Sequence, residues 1–184
     1  MTIDKKITNL NFNEVALDEE YENCTFLNCN FSDMRITNVV FENCQFESCN
    51  FCLTKMDTSW RDVKFKECKM TGANFTKINN FSSFSFEKSN LQYASFMRTK
   101  LKCTKFVDCN LNEVDFSESN LSMSVFKNCD MTRALFSNTN LEKTDFTTAY
   151  NYIIDPNNNL IKKARFSKEG LIGLVLSFGI SIVE

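Results

Sequence analysis

Residues 86–126 read FEKSN LQYAS FMRTK LKCTK FVDCN LNEVD FSESN LSMSV F, and every fifth letter is phenylalanine or leucine. Large apolar residues continue at this spacing outward in both directions, from Tyr21 to Phe146. Two steps differ: four residues separate Met56 from Trp60, and six separate Phe75 from Phe81. A strict period of five fits neither the 3.6-residue period of an α-helix nor the two-residue period of a strand. The spacing therefore predicts a repeat protein.

Each repeat has further regular positions around its large apolar centre. A small or compact residue usually stands two positions earlier, and the position between is often Asn or Asp, as in Cys109-Asn110-Leu111. This pattern resembles the A(D/N)LXX motif of the pentapeptide repeat family, over residues 21–148. The resemblance implies four pentapeptides per coil, which form the four sides of a right-handed quadrilateral β-helix.

A longer period of 20 residues tests this winding, because residues one coil apart should stack. We name the four sides after Phe26, Phe31, Ile36 and Phe41. The Phe26 side has phenylalanine at every level, and we expect these residues to form the structural core: Phe26, Phe46, Phe65, Phe86, Phe106, Phe126 and Phe146. The fold class predicted is an all-β solenoid of about six coils with a short C-terminal helix.

The chain divides into three predicted regions. Residues 1–20 form an N-terminal cap, residues 21–149 the pentapeptide-repeat β-helix, and residues 150–184 a C-terminal loop, helix and tail. Ser167 is the expected N-cap of a helix from Lys168 to Phe178, and Gly179 ends it. The helix places four apolar residues on one face, which predicts a cap over the last coil, a homodimer interface, or both: Leu171, Leu174, Val175 and Phe178.

Nine cysteines invite a metal or disulfide interpretation. On the Phe31 side they recur as a ladder at Cys29, Cys49, Cys68, Cys109 and Cys129. Stacked side chains about 4.8 Å apart exceed the Cβ separation that a disulfide prefers, and a ladder does not converge as zinc ligands do. We therefore expect reduced, metal-free thiols that fill the core. Cys52 and Cys103 fall outside the inward positions and are the candidate reactive thiols.

The residue inventory argues against catalysis. The sequence has no histidine, no Gly-rich phosphate loop and no Gly-x-Ser-x-Gly motif. We expect no enzyme activity, no catalytic residues, no cofactor and no metal. No secretory signal begins the chain, and the apolar run at residues 171–183 is shorter than the roughly 20 residues that span a bilayer. We expect a soluble, cytoplasmic protein with no membrane partner.

Charge is unevenly distributed along the chain. Residues 1–54 hold nine acidic and three basic side chains, and residues 55–105 hold four and eleven. The repeats themselves are close to neutral, with no strongly acidic side. The acidic excess lies before them and is a candidate partner-binding patch: Glu14, Asp18, Glu19, Glu20 and Glu22.

The C-terminal sequence Phe178-Gly179-Ile180-Ser181-Ile182 resembles the quinolone-resistance (Qnr-like) and topoisomerase-poison immunity branch of the family. That resemblance implies a homodimer joined through its C-terminal helices, with DNA gyrase or topoisomerase IV as protein partner and no direct contact with nucleic acid. Binding would relieve poisoning by quinolones or peptide toxins, through mimicry of duplex DNA by an acidic rod. The near-neutral repeats depart from such mimicry. The alternative function is a general protein-protein interaction scaffold with no topoisomerase target.

Overall fold

The computed structural model describes residues 1–79 and 82–180. Within them the chain winds as a right-handed quadrilateral β-helix of parallel strands. The strands are β1 (Thr2–Ile3), β2 (Lys6–Thr8), β3 (Glu20–Glu22), β4 (Thr25–Leu27), β5 (Val40–Glu42), β6 (Gln45–Glu47), β7 (Ser59–Arg61), β8 (Val63–Lys66), β9 (Phe84–Glu87), β10 (Lys105–Val107), β11 (Val125–Lys127), β12 (Asp145–Phe146) and β13 (Arg165–Phe166).

The sides of the solenoid are parallel sheets and bridge ladders. The Phe26 side is a sheet of order β13-β12-β11-β10-β9-β8-β6-β4-β2, and the first part of the Phe41 side is the sheet β1-β3-β5-β7. Isolated parallel bridges form the other two sides, for example Asn90 to Asn110 on the Phe31 side. Register within the large sheet places Phe86 opposite Phe106, and Phe106 opposite Phe126. The predicted 20-residue stacking is therefore confirmed.

Stacked aromatic rings form the core. Phe86 and Phe106 lie 5.0 Å apart with an interplanar angle of 6°, and Phe106 and Phe126 lie 4.9 Å apart at 6°. Phe106 also meets Phe116 of a neighbouring side edge-on at 5.8 Å. Both arrangements are favoured by the charge distribution of aromatic rings. All seven predicted core phenylalanines of the Phe26 side are buried.

The solenoid is longer than the predicted six coils and has about eight turns. At the N-terminal end, β1 pairs with β3 and β2 pairs with β4. At the other end, Phe166 of β13 stacks on Phe146 at 5.3 Å. Segments 2–20 and 150–166 therefore wind with the repeats. Phe81, predicted as a repeat centre, lies outside the described residues, as do Ser181 and Ile182.

Corners are made by single residues in the left-handed conformation, with almost no glycine. The residue two places after each centre usually has positive φ, as at Asn28 (53°), Leu53 (58°) and Arg98 (61°). Gly72 (68°) occupies one corner, where an added Cβ would lie 2.8 Å from Leu53 Cδ2. Left-handed backbone costs roughly 1 kcal/mol in residues other than glycine. Here the backbone hydrogen bonds between adjacent coils hold these corner residues in the left-handed conformation.

The C-terminal segment is less regular than the predicted helix from Lys168 to Phe178. One α-helical turn, α1 (Ile172–Val175), is flanked by 3₁₀ turns at Glu169–Leu171 and Leu176–Phe178. The Ser167 hydroxyl accepts a hydrogen bond from the Gly170 N–H at 2.9 Å, and Gly179 ends the segment with φ 67°. The Gly173 carbonyl accepts a bond from the Ile154 N–H at 2.9 Å, which ties the segment to the last coil.

Candidate interaction surfaces

The asparagine ladder on the Phe31 side is structural. Asn50 Nδ2 donates to Asn30 Oδ1 at 3.0 Å, and Asn30 Nδ2 donates to Asn11 Oδ1 at 2.9 Å. Asn30 Oδ1 also accepts from the Ser32 N–H at 3.2 Å, and Asn50 Oδ1 accepts from the Cys52 N–H at 3.1 Å. Such Asx turns satisfy corner groups that glycine or proline turns do not supply here. Hydrogen bonds within the solenoid therefore hold these amides in place.

The cysteine ladder also makes hydrogen bonds. Cys49 Sγ donates to the Phe26 carbonyl at 3.5 Å and to the Glu47 carbonyl at 3.4 Å. Hydroxyls occupy the same position elsewhere, since Ser124 Oγ donates to the Leu101 carbonyl at 2.8 Å. Cysteine therefore replaces Ser or Thr as a weak donor as well as filling space.

The environment raises the pKa of most of the buried thiols for which a shift is resolved, whereas a hydrogen bond with Cys129 lowers the pKa of Cys109. Burial raises the pKa of Cys44 to about 11. A hydrogen bond with Cys68 and burial raise the pKa of Cys49. Cys103, by contrast, is exposed at a corner, and Cys52 is half-buried. Among the residues that the structure describes, no group of His, Cys, Asp and Glu side chains is arranged to hold a metal ion.

The C-terminal end presents an apolar surface. Leu171 and Phe178 are 49% and 54% exposed, whereas Leu174 packs against the core. Val175 is half-buried. The predicted face is thus divided: Leu174 helps to close the last coil, and Leu171 and Phe178 face outward.

Further apolar residues at this end were missed by the helix-face prediction. Ile172 and Leu176 are 49% and 42% exposed. With Tyr150 and Ile153 of the preceding loop they line a groove of about 620 Å³. The face prediction assumed regular helical spacing throughout, but the 3₁₀ turns rotate the side chains. Together these residues form a contiguous apolar surface, unlike the single exposed apolar residues that are common on monomeric proteins.

Two glycines fix how the helical segment docks. An added Cβ at Gly173 would lie 2.2 Å from the Tyr152 carbonyl oxygen, and one at Gly170 would lie 2.0 Å from the Tyr152 hydroxyl. Tyr152 is buried, and within the described part of the chain its hydroxyl has no hydrogen-bond partner. The close approach therefore depends on both glycines.

The predicted acidic patch lies on two sides of the solenoid. Glu20 and Glu22 lie on β3, on the Phe41 side, where Glu22 is in register with Glu42. The Thr2 hydroxyl donates to Asp18 just before this strand, and Glu19 is exposed beside it. Glu14 instead accepts from Asn11 Nδ2 at 2.6 Å, at the Phe31 side. Asp18, Glu19, Glu20 and Glu22 form one patch, and Glu14 is apart from it.

Among the described residues, six carboxylates along the coils form ion pairs with cations about one coil away. Glu118 accepts two hydrogen bonds from the Arg98 guanidinium, at 2.9 and 3.0 Å, which lowers the pKa of Glu118. Similar cross-coil pairs join Arg61 to Glu42 (3.0 Å), Lys66 to Glu47 (2.8 Å) and Arg165 to Asp145 (3.0 Å). Exposed pairs of this kind contribute little stability. They do prevent a continuous row of free negative charge.

Across residues 1–79 and 82–180, no helix combines the length and apolar character needed to cross a bilayer.

These features define a β-solenoid built from stacked repeats. Comparison with protein families gives two matches: "Pentapeptide repeat region" over residues 58–132 and 79–166, and "Pentapeptide repeats (8 copies)" over residues 22–51. The chain belongs to the pentapeptide repeat family.

Solved structures with the same fold include a trypsin-treated variant of QnrB1, described as a plasmid-mediated fluoroquinolone resistance protein. It is 19% identical, 99% of each chain is covered, and the TM-score is 0.50. Full-length QnrB1 is 20% identical with a TM-score of 0.34, over 97% of this chain and 98% of that one. HetL, a pentapeptide repeat protein of Nostoc sp. strain PCC 7120 involved in heterocyst differentiation regulation, is 12% identical over 91% and 89%, with a TM-score of 0.39. The search of curated proteins gave no significant match.

Proposed function

We propose that this protein is a protein-binding solenoid that acts in the cytoplasm as a homodimer and binds a type II topoisomerase, DNA gyrase or topoisomerase IV, protecting it from quinolones or peptide toxins. The observation that supports this most is the likeness to QnrB1 over 99% of both chains, since QnrB1 is described as a fluoroquinolone resistance protein. We assign it a binding function and no catalytic step.

The exposed apolar C-terminal end supports the dimer. Leu171, Ile172, Leu176 and Phe178 are large, apolar and exposed on one short segment. A self-complementary patch at the end of a rod favours a two-fold dimer, which buries the same surface on both copies. Leu174 and the two glycines anchor that surface to the last coil.

Recognition of the topoisomerase is proposed to rest on shape and the dimer rather than on phosphate imitation. Acidic and basic side chains are nearly balanced along the repeats, and cross-coil pairs such as Arg98 with Glu118 are part of that balance. A mimic of duplex DNA needs unpaired negative charge where phosphates lie. The same neutrality favours the alternative, a general scaffold with no topoisomerase target.

The test is a gyrase supercoiling assay in the presence of a quinolone, with this protein titrated. The topoisomerase proposal predicts restored supercoiling at micromolar or lower protein, or inhibition of supercoiling without drug. Absence of both effects would favour the scaffold. Because acidic and basic side chains are nearly balanced along the repeats, the effect should depend only weakly on salt.

A further inference from the structure

A basic groove runs along the edge where the Phe41 side meets the Phe26 side. Its volume is about 550 Å³, and Lys64, Lys102 and Lys105 line it together with Asp62 and Ser83. Lys64 and Lys105 belong to the Phe26 side and are both in register with Ser85, one from the coil before it and one from the coil after. Lys102 reaches the groove from the Phe41 side.

These lysines differ from the paired cations elsewhere on the coils. All three are exposed, and none forms an ion pair within the part of the chain that the structure describes. Asp62 is the one carboxylate lining the groove, and it accepts a hydrogen bond from the Ser83 hydroxyl at 3.0 Å. The groove therefore carries unbalanced positive charge.

Apolar side chains continue this surface toward the C-terminus. Val125 lies opposite Lys105 in the sheet, and Lys127 lies opposite Val107. Met123, at the adjoining corner, is 46% exposed. We name as the basic edge the surface formed by Lys64, Lys102, Lys105, Met123, Val125 and Lys127.

We propose that the basic edge binds an acidic segment of a partner protein that also carries apolar side chains. Charge complementarity selects an anionic partner and steers its approach. Apolar groups between the lysines match Leu- or Phe-like side chains, whereas a sugar-phosphate backbone offers Val125 and Met123 nothing apolar to bury. This surface lies along the middle coils, so it is independent of the C-terminal dimer and of the topoisomerase proposal.

The spacing of the lysines suggests the register of the bound segment. Lys64 and Lys105 are two coil rises apart, about 10 Å. A segment in the polyproline II conformation covers about this distance in three residues, at about 3.1 Å per residue. Because that conformation has three residues per turn, carboxylates three residues apart lie on one face and would meet both lysines when the segment runs parallel to the rod axis.

The test uses a fluorescein-labelled twelve-residue peptide with Glu at every third position and Leu and Ser between, titrated with the full chain and followed by fluorescence anisotropy. We expect saturable binding that weakens at least tenfold when Lys64, Lys102 and Lys105 are all changed to Glu. Because charge reversal can disturb folding, the same lysines changed to Gln provide a milder variant, which should bind at least threefold more weakly. Met123→Ser should also weaken binding.

A matched control places the same charge change on other sides. Lys55, Lys69 and Lys77 are exposed on the Phe31 and Ile36 sides, and their triple Glu variant should bind the peptide as the wild type does. The proposal is overturned if the peptide does not bind saturably, or if both triple variants lose binding equally. Tighter binding of a 12-base-pair DNA duplex than of the peptide would also overturn it, in favour of a nucleic-acid surface.

Discussion

At the scale of single residues, cysteine donates to a backbone carbonyl of the neighbouring coil, and asparagine accepts from a backbone N–H two residues on in its own coil. Cys44 Sγ donates to the Tyr21 carbonyl at 3.4 Å, as Thr144 Oγ1 donates to the Leu121 carbonyl at 2.8 Å. Position in the repeat, and not the chemistry of sulfur, decides the role of these residues. The two thiols outside the inward positions are free of that constraint.

Thiol reactivity should separate these two groups. In folded protein at pH 8, we expect Cys103 to react fastest with Ellman's reagent and Cys52 more slowly, because only these thiols are not buried. The seven buried thiols should react only after unfolding in urea. Mass spectrometry that found a Cys29–Cys49 bridge or bound zinc in native protein would contradict the reduced, metal-free ladder.

Stability should fall at alkaline pH partly through Cys44. Burial raises the pKa of this thiol from 9.0 to about 11 in the folded chain, so between these values the folded state retains a proton that the unfolded state has lost. Its contribution is full below pH about 9 and is lost as pH rises toward about 11. Urea unfolding of wild type and Cys44→Ser at pH 7.5 and 10 should show a smaller stability difference at the higher pH. A difference that does not change with pH would contradict the assignment.

At the scale of elements, the five-residue period predicted the central coils and missed those at the ends. Ile7 and Phe12 follow the spacing, but Lys5 and Leu10 stand where the repeat has a small or compact residue. At the other end Ala149, Ile154 and Asn159 are buried at five-residue intervals without a regular apolar centre. Asn159 Nδ2 donates to the Phe136 carbonyl at 3.1 Å, as Thr139 Oγ1 donates to the Phe116 carbonyl one coil earlier. An amide therefore takes the place of the small hydroxyl or thiol residue of the repeat.

Other elements could not have been predicted from residue types. Tyr93 and Arg98 adopt left-handed backbone at φ 61° because the winding requires it, although neither residue favours it. The interrupted C-terminal helix likewise reflects docking against Tyr152, a contact distant in sequence. The acidic residues near Glu14 were adjacent in sequence, but the first coil distributes them over two sides.

Docking of the helical segment should depend on Gly173. An added Cβ would collide with the Tyr152 backbone, so Gly173→Ala should weaken docking by about 1–3 kcal/mol. Limited trypsin digestion should then cleave faster around Lys168 and Arg165. Gly179→Asn is the control, because nothing lies within 4 Å of that position and Asn tolerates left-handed backbone. Equal cleavage of the Gly173→Ala variant and wild type would refute this docking role.

At the scale of the whole molecule, the rod presents neutral sides, an acidic patch near its start, a basic edge midway and an apolar end. A partner that bound by charge alone would bind either the acidic patch or the basic edge. The apolar end is the surface that a monomer would leave unfavourably exposed.

The dimer prediction is tested by light scattering. We expect about twice the chain mass of 21.3 kDa for wild type, and the monomer mass for Leu171→Asp combined with Phe178→Asp. These two residues are chosen because they are exposed, whereas Asp at Leu174 would also disturb the cap. A monomeric wild type would contradict the dimer prediction, and the C-terminal segment would then serve only to cap the last coil.

The most direct test of the central claim compares two variants in the supercoiling assay with quinolone. One carries Asp18→Asn, Glu19→Gln and Glu20→Gln, and the other carries Leu171→Asp and Phe178→Asp. Recognition through shape and the C-terminal dimer predicts that the first variant protects gyrase as wild type does and that the second loses protection at least tenfold in concentration. Loss of protection by the first variant with full activity of the second would contradict the account and would assign recognition to the acidic patch.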